Sequence, residues 1–218
     1  MNISNMCGAI EHWLGFQDKI GRSFMINEDT LKYPLADYLV NDGNIDVKNI
    51  KLEYAHPNFS SRNVDLAIIN NINHQINNIF ELKLAKLATR TQTEKQRIFN
   101  DLMRLYLAKK VTTDKCYFII VGKTANFQRD FYKFETNGDI FYKKWFVFGK
   151  EGSITFDVAT ETHLDYQTIY QEFINEYSDN TPTTIPLQLP NQITTTCEFI
   201  TAYDERLIPY MAGIWSVS

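Results

Sequence analysis

Two short strand-like segments, each with one carboxylate among apolar residues, constrain the fold of this chain more than any other feature. Residues 64–69 contain Asp65, and residues 79–83 contain Glu81 and Lys83. The Asn-rich segment between them is typical of a turn, so the two segments are predicted to pair as an antiparallel hairpin. Because side chains alternate along a strand, Asp65 is expected opposite Glu81, with Lys83 on the same face. Such a cluster can hold a divalent cation and position a water molecule.

The composition bounds the class of protein. A chain of 218 residues with 44% apolar residues fits one domain with a substantial core. The net charge of −4 argues against a protein that coats nucleic acid non-specifically, although it allows a local basic face. Cys7, Cys116 and Cys197 are widely separated and lack zinc-site spacing, which suits a reducing compartment. With no signal-like segment and no apolar run of membrane-spanning length, we expect a cytoplasmic protein without membrane contact.

The order of predicted elements is an α/β pattern around a mixed sheet. Pro34 interrupts the second helical segment, which is therefore either two short helices or one kinked helix. Thr91 and Glu94 form a capping box that starts a later helix. Helices are predicted at 1–20, 24–40, 91–110 and 164–176, strands at 48–55, 116–121, 141–148, 153–158, 192–201 and 212–217, and a Pro-containing loop at 178–190.

A basic segment follows the hairpin. Residues 81–115 carry nine Lys or Arg residues and four Asp or Glu residues, a balance of +5 within an acidic chain. A basic segment that begins at a candidate cation site is where a phosphate backbone would run. The alternative is an ordinary solvated face of an amphipathic helix. The candidate nucleic-acid contacts are Lys86, Arg90, Lys95 and Arg97, together with Arg62 just before the hairpin.

This order of elements, with Asp65 and Glu81-Leu82-Lys83 on the hairpin, resembles the PD-(D/E)xK phosphodiesterase superfamily, which has the restriction-endonuclease-like fold. The resemblance covers residues 24–121, approximately. It implies a mixed central sheet flanked by helices. The whole chain is expected to form a single nuclease-like domain (residues 1–218), in which residues 159–218 are a β-rich C-terminal extension of helix, loop and strands. It also implies a Mg²⁺-dependent nuclease, for which Mn²⁺ can substitute. DNA is the expected substrate, an endonuclease in restriction or anti-phage defence the expected role, and a homodimer a plausible assembly.

The same resemblance assigns roles at the hairpin. Asp65 and Glu81 match the two acidic metal ligands of the family, and Lys83 matches the lysine beside the attacking water. Gln96, in the first turns of the following helix, matches a polar residue that supports the site. Val64 stands where the family usually has proline, at a position that performs no chemistry.

A further glutamate, contributed by the preceding helix in many members, is less certain in position. Glu28 is the matching candidate, but Asp29 and Asp37 lie nearby and remain alternatives.

Two other interpretations of the hairpin stay open. A Glu-x-Lys triplet also occurs by chance on solvated strands, where it forms an ordinary ion pair. A catalytically inactive module of the same fold, binding DNA or a protein partner, would suit the acidic overall charge and the unassigned region after residue 159. The sequence has no phosphate-binding loop and no other nucleophile motif that would indicate a different enzyme.

Overall fold

The protein is a mixed α/β structure built on one seven-stranded sheet. The computed structural model describes residues 1–59, 62–86, 91–132, 141–149, 151–158, 164–177, 190–201 and 209–218. The strand order is β1-β2-β3-β4-β7-β6-β5, and β3 and β4 are parallel while the other neighbouring strands are antiparallel. The strands are β1 (Ile50–Ala55), β2 (Asn63–Ile69), β3 (Ile76–Ala85), β4 (Cys116–Lys123), β5 (Ser153–Asp157), β6 (Gln192–Ile200) and β7 (Tyr210–Val217).

Helices cover both faces of the sheet. On one face lie α1 (Ile3–Lys19) and α2 (Lys32–Asn41), and on the other lie α3 (Gln92–Lys109) and α5 (Leu164–Tyr177). A short helix, α4 (Thr124–Phe127), continues directly from β4. Pro34 falls in the first turn of α2, where a proline does not disrupt helical hydrogen bonds, so the second helical segment is a single α-helix preceded by two 3₁₀ turns.

The sheet separates two hydrophobic cores. Leu66, Phe80 and Leu82 pack against α1 and α2, whereas Ile79 and Phe118 lie in the core beneath α3. The alternation of side chains along β3 therefore directs Glu81 and Lys83 toward α3. None of the helices in the described ranges combines the length and hydrophobicity that a membrane crossing requires.

Most predicted elements are confirmed, and one strand is wrong. Residues 141–148 were expected to be a strand because they are rich in aromatic residues, but Phe141–Lys144 is a 3₁₀ turn. Aromatic rings of this segment pack into the core, where Tyr142 contacts Phe131, Phe146 contacts Trp215 and Trp145 contacts Phe99. Most of the predicted loop at 178–190 lies outside the described residues.

The C-terminal strands are part of the main sheet. Strand β7 lies between β4 and β6 and pairs along its length with β4, from Cys116 opposite Val217 to Lys123 opposite Tyr210. All three cysteines are buried and free.

Candidate functional site

The β2–β3 hairpin has the predicted register. Leu66 pairs with Phe80 and Ala67 pairs with Ile79, so the next residues along the strands, Asp65 and Glu81, are neighbours. The contact between the strands continues at Asp65, because its Oδ2 accepts a hydrogen bond of 2.7 Å from the backbone N–H of Leu82. The hairpin thus fixes the first carboxylate beside the second.

A lysine from α2 neutralises Asp65. Lys32 Nζ lies 3.3 Å from Asp65 Oδ1 and 3.0 Å from Asp29 Oδ1, and it also pairs with Glu53 on β1. Burial lowers the pKa of Lys32, but Asp29 and Asp65 more than reverse this effect, so its pKa is raised above its usual value. Both oxygens of Asp65 therefore have a partner, one a backbone amide and the other an internal cation.

Glu81 lies in a very different environment. It is only 4% exposed, and its Oε1 accepts no hydrogen bond. The nearest cation is Arg104 on α3, whose Nη2 lies 3.6 Å from Oε1. Burial raises the pKa of Glu81 well above its usual value, and the carboxylates of Asp101 and Asp65 add to the rise while Arg104 opposes it. The charged form of Glu81 is thus short of compensating positive charge.

Lys83 bridges the strand to two other elements. It is 8% exposed, and its Nζ lies 3.3 Å from Asp101 Oδ2 and 3.6 Å from Glu28 Oε2. Burial lowers the pKa of Lys83, but Asp101 and Glu28 more than reverse this effect, so the pKa is raised. Lys83 is consequently an ammonium ion at neutral pH, which can donate hydrogen bonds or neutralise negative charge but cannot accept a proton.

The additional glutamate is best matched by Glu28. Its carboxylate approaches both Lys83 and, at 4.0 Å, Lys86. Asp29 is exposed and turned toward Lys32, and Asp37 is exposed on α2. Glu28 precedes the 3₁₀ turn that leads into α2, so it comes from the start of the helical segment and not from its interior.

A polar cleft of about 380 Å³ opens beside Lys83. Gln96 lines this cleft from α3, together with Arg62, Arg97 and Arg104. Asp65 and Glu81 are not among the described residues that line it. Lys83, Glu28 and Gln96 therefore line the cleft, while Asp65, whose side chain is 21% exposed, and the buried Glu81 are adjacent but outside its lining.

The candidate nucleic-acid contacts also differ in how exposed they are. Lys86 is half-exposed, and Arg97 is well exposed, with an ion pair of 2.7 Å to Glu94. The guanidinium of Arg62 lies 5.1 Å from the ring centre of Tyr177, at the cleft. Lys95, by contrast, is buried, which does not suit a contact with a phosphate backbone. Arg90 lies outside the described residues.

Sequence analysis missed four participants: Lys32, Glu53, Asp101 and Arg104. Asp101 and Arg104, both on α3, are largely buried and form an ion pair. Their i, i+3 spacing of opposite charges was the available signal, although it also describes an exposed pair. Arg104 donates a further hydrogen bond of 3.0 Å to the hydroxyl of Tyr177 on α5.

Among the described residues, the candidate site offers two carboxylates to a divalent cation, Asp65 and Glu81, and not a complete set of protein ligands. Within the described ranges no three His, Cys, Asp or Glu side chains form a group able to hold a metal ion. Mg²⁺, however, is commonly held by one or two carboxylates with several waters retained. Oε1 of Glu81 accepts no hydrogen bond and the pKa of Glu81 is raised, which fits a ligand that receives positive charge, and Asp65 is its neighbour across the hairpin.

No protein-family model, curated protein or solved structure matches this chain.

Proposed function

We propose that the protein is a metal-dependent nuclease that hydrolyses phosphodiester bonds, with DNA as its substrate. The observation that carries the proposal is the convergence of Asp65, Glu81 and Lys83, joined by Glu28, beside a polar cleft with several cations. An acidic pair and a lysine on one hairpin of a mixed sheet is the arrangement implied by the resemblance to the PD-(D/E)xK superfamily. A restriction or anti-phage role belongs to the same proposal.

Asp65 and Glu81 would hold Mg²⁺ or Mn²⁺. When bound, the cation would supply a more acidic water and stabilise negative charge on the phosphate oxygens. The raised pKa of Glu81 means that a cation would favour its ionised form, so metal affinity is expected to increase with pH.

Lys83 would act on the phosphate or on the attacking water as a hydrogen-bond donor. Since its pKa is raised, it orients the water or neutralises developing charge and does not remove the proton. Glu28 would hold the ammonium group in place, because its carboxylate lies 3.6 Å from Nζ. Arg62, Arg97 and Arg104 at the cleft would attract the phosphate backbone.

The test is a plasmid-nicking assay with Mg²⁺ or Mn²⁺ on the wild type and on the Asp65→Ala and Lys83→Ala variants. We expect each substitution to reduce the cleavage rate by about 100-fold or more, as loss of an electrostatic group at a reacting centre commonly does. Lys115→Ala is the matched control, because Lys115 precedes β4 at the opposite end of the strands. Absence of wild-type cleavage on duplex DNA, single-stranded DNA and RNA would contradict the proposal.

One observation favours a second candidate, an inactive module of this fold that binds DNA or a protein partner. Lys32 and Arg104 already lie against Asp65 and Glu81, as internal cations that could replace a metal permanently. Calorimetric titration with Mn²⁺ separates the two candidates. The nuclease should bind Mn²⁺ and lose that binding in Asp65→Asn, whereas the inactive module should show no binding in either protein.

A further inference from the structure

A second cavity, of about 180 Å³, lies near the candidate site on the other side of Glu28. It lies between the turn that follows α1 and the C-terminal ends of β3 and β4. Ile26 and Leu84 contribute apolar walls, and Lys86 and Lys123 contribute positive charge. A cavity with apolar walls and flanking cations suits a ligand that joins a flat, weakly polar ring to an anion.

Tyr210 supplies a buried polar group to this cavity, which Ser23 and Asn126 also line. Its side chain is 1% exposed and lines the cavity, yet its hydroxyl has no hydrogen-bond partner. Burial, with a smaller contribution from Asp18, raises the pKa of Tyr210 to about 12, so the hydroxyl remains protonated at neutral pH. A buried hydroxyl without a partner is unfavourable, because the hydrogen bonds it would make with water are not replaced. A ligand that offers an acceptor in the cavity would remove this penalty.

The two lysines are able to exchange their present partners for a phosphate. Lys86 Nζ lies 4.0 Å from Glu28, and Lys123 Nζ lies 3.1 Å from Asp18, and both lysine side chains are about half exposed. Because water and salt screen half-exposed ion pairs, these two pairs oppose ligand binding only weakly.

Glu28 connects this cavity to the candidate site. One of its oxygens faces Lys83 and the other faces Lys86, which is three residues further along the chain at the end of β3. Three residues of extended strand span about 10 Å. A nucleotide next to the one bound at Lys83 could therefore place its base in the cavity.

An exposed aromatic residue stands at the same turn. Phe24 is 83% exposed and directly follows Ser23, which lines the cavity. Bases of single-stranded nucleic acid stack favourably on such rings. A base in a duplex must first unstack and unpair, which opposes its binding here.

We propose that this cavity receives the base of an unpaired nucleotide adjacent to the phosphodiester at Lys83, with Tyr210 donating a hydrogen bond to the base and Phe24 stacking at the rim. The proposal rests on the proposed nuclease function and adds a substrate class, namely single-stranded nucleic acid or a nucleotide displaced from a duplex. Inorganic phosphate would contact the two lysines but would contact neither the apolar walls nor the buried hydroxyl of Tyr210.

Binding is measured by fluorescence anisotropy in the presence of a chelator, so that cleavage plays no part. The probes are a short labelled single-stranded oligonucleotide and its abasic counterpart, which retains the phosphates but lacks the bases. Tyr210→Phe removes only the hydroxyl, and Phe24→Ala changes only an exposed ring. Each is expected to weaken binding of the intact oligonucleotide by about threefold to tenfold and to leave binding of the abasic strand unchanged.

Ile72→Ala is the control, since Ile72 is 93% exposed at the distal turn of the hairpin, and it should alter neither affinity. Thermal unfolding checks that Tyr210→Phe is folded, and Phe24→Ala carries the test if it is not. Equal losses on both probes, or no loss in either variant, would overturn the base-binding proposal even if the wild type cleaves DNA. Base-dependent losses in a protein that never cleaves would support the cavity while contradicting the nuclease.

Discussion

The two faces of β3 differ in what they contribute. Phe80 and Leu82 point into an apolar core under α1 and α2, while Glu81 and Lys83, on the same strand, point toward α3 and are just as deeply buried. Burial of the first pair stabilises the fold. Burial of the second pair removes charges from water, and the free-energy cost of this desolvation is only partly offset by ion pairing. Charged residues in such positions indicate a role other than stability. Substitutions on each face test whether the apolar face provides the stability and the charged face the function.

The largest effect is expected on the apolar face. Phe80 is completely buried and stacks on Tyr117 with ring centres 5.1 Å apart. Phe80→Ala should lower the free energy of unfolding by about 3–5 kcal/mol, because it removes a large apolar side chain and leaves a cavity. Urea denaturation measures the loss, with Ile72→Ala as an exposed control expected to change stability by less than about 0.5 kcal/mol. A loss from Phe80→Ala no greater than the control's would show that this face does not carry the fold.

A buried histidine behind the charged face should give the next largest effect. His56 accepts a hydrogen bond from the N–H of Asn58 and lies 3.1 Å from the carbonyl of Arg104, and burial lowers its pKa to about 4. The unfolded chain binds this proton near pH 6.5, so the stability contributed by neutral His56 is present above that pH and is lost as the pH falls toward 4. The loss should reach about 3 kcal/mol.

Urea denaturation between pH 4 and pH 7 measures this dependence in the wild type and in His56→Gln. The variant should show a shallower decline over the acidic range, since it has no proton to bind. Parallel curves for the two proteins would mean that His56 titrates normally in the folded state.

A smaller effect of opposite pH dependence is expected at Glu81. Its pKa is raised in the folded protein, so its contribution to stability is fully present below the unfolded value of 4.5 and declines as the pH rises toward the folded value. Glu81→Gln keeps the shape without the charge, and its stability relative to the wild type should therefore increase with pH. Denaturation across this range tests the prediction, and the same variant should lose metal binding and cleavage. A variant less stable than the wild type at neutral pH would show that the ion pair with Arg104 outweighs burial.

The smallest effect on stability is expected at the start of α3, the helix that covers the charged face of β3. Thr91 caps α3, since its Oγ1 accepts a hydrogen bond of 3.3 Å from the N–H of Glu94. Thr91→Ala should lower stability by about 1 kcal/mol. Thr91→Ser, which retains the acceptor, is the matched variant and should restore most of that loss in thermal denaturation.

The local elements of the fold could be predicted from the sequence, because their causes are local. The register of the hairpin follows from the alternation around Asp65 and Glu81, and the start of α3 follows from the capping box at Thr91. Residues 141–148 were predicted wrongly because the preference of aromatic residues for strands was outweighed by packing against Phe131 and Trp215.

The environment of the candidate site could be predicted much less well. Lys32 reaches Asp65 from a different helix, and only the assembled sheet brings the two together. The burial of Arg104 and Asp101 does not follow from the helical periodicity of α3. Such a pattern separates apolar from polar positions but does not indicate that a polar face packs against another polar group. The placement of Lys83 in the lining of the cleft, with Asp65 and Glu81 outside it, has the same long-range origin.

The pairing of β4 with β7 has a consequence for the order of folding. Strand β4 receives its parallel neighbour from β3, but its other edge is covered by residues 210–217, more than 85 positions further along the chain. Until those residues have been synthesised, the apolar run from Tyr117 to Val121 presents an open edge that can pair with another chain. Contacts so distant in sequence also form slowly. Before residues 210–217 are synthesised, the nascent protein therefore has an uncovered strand edge at β4, which the complete fold covers with β7.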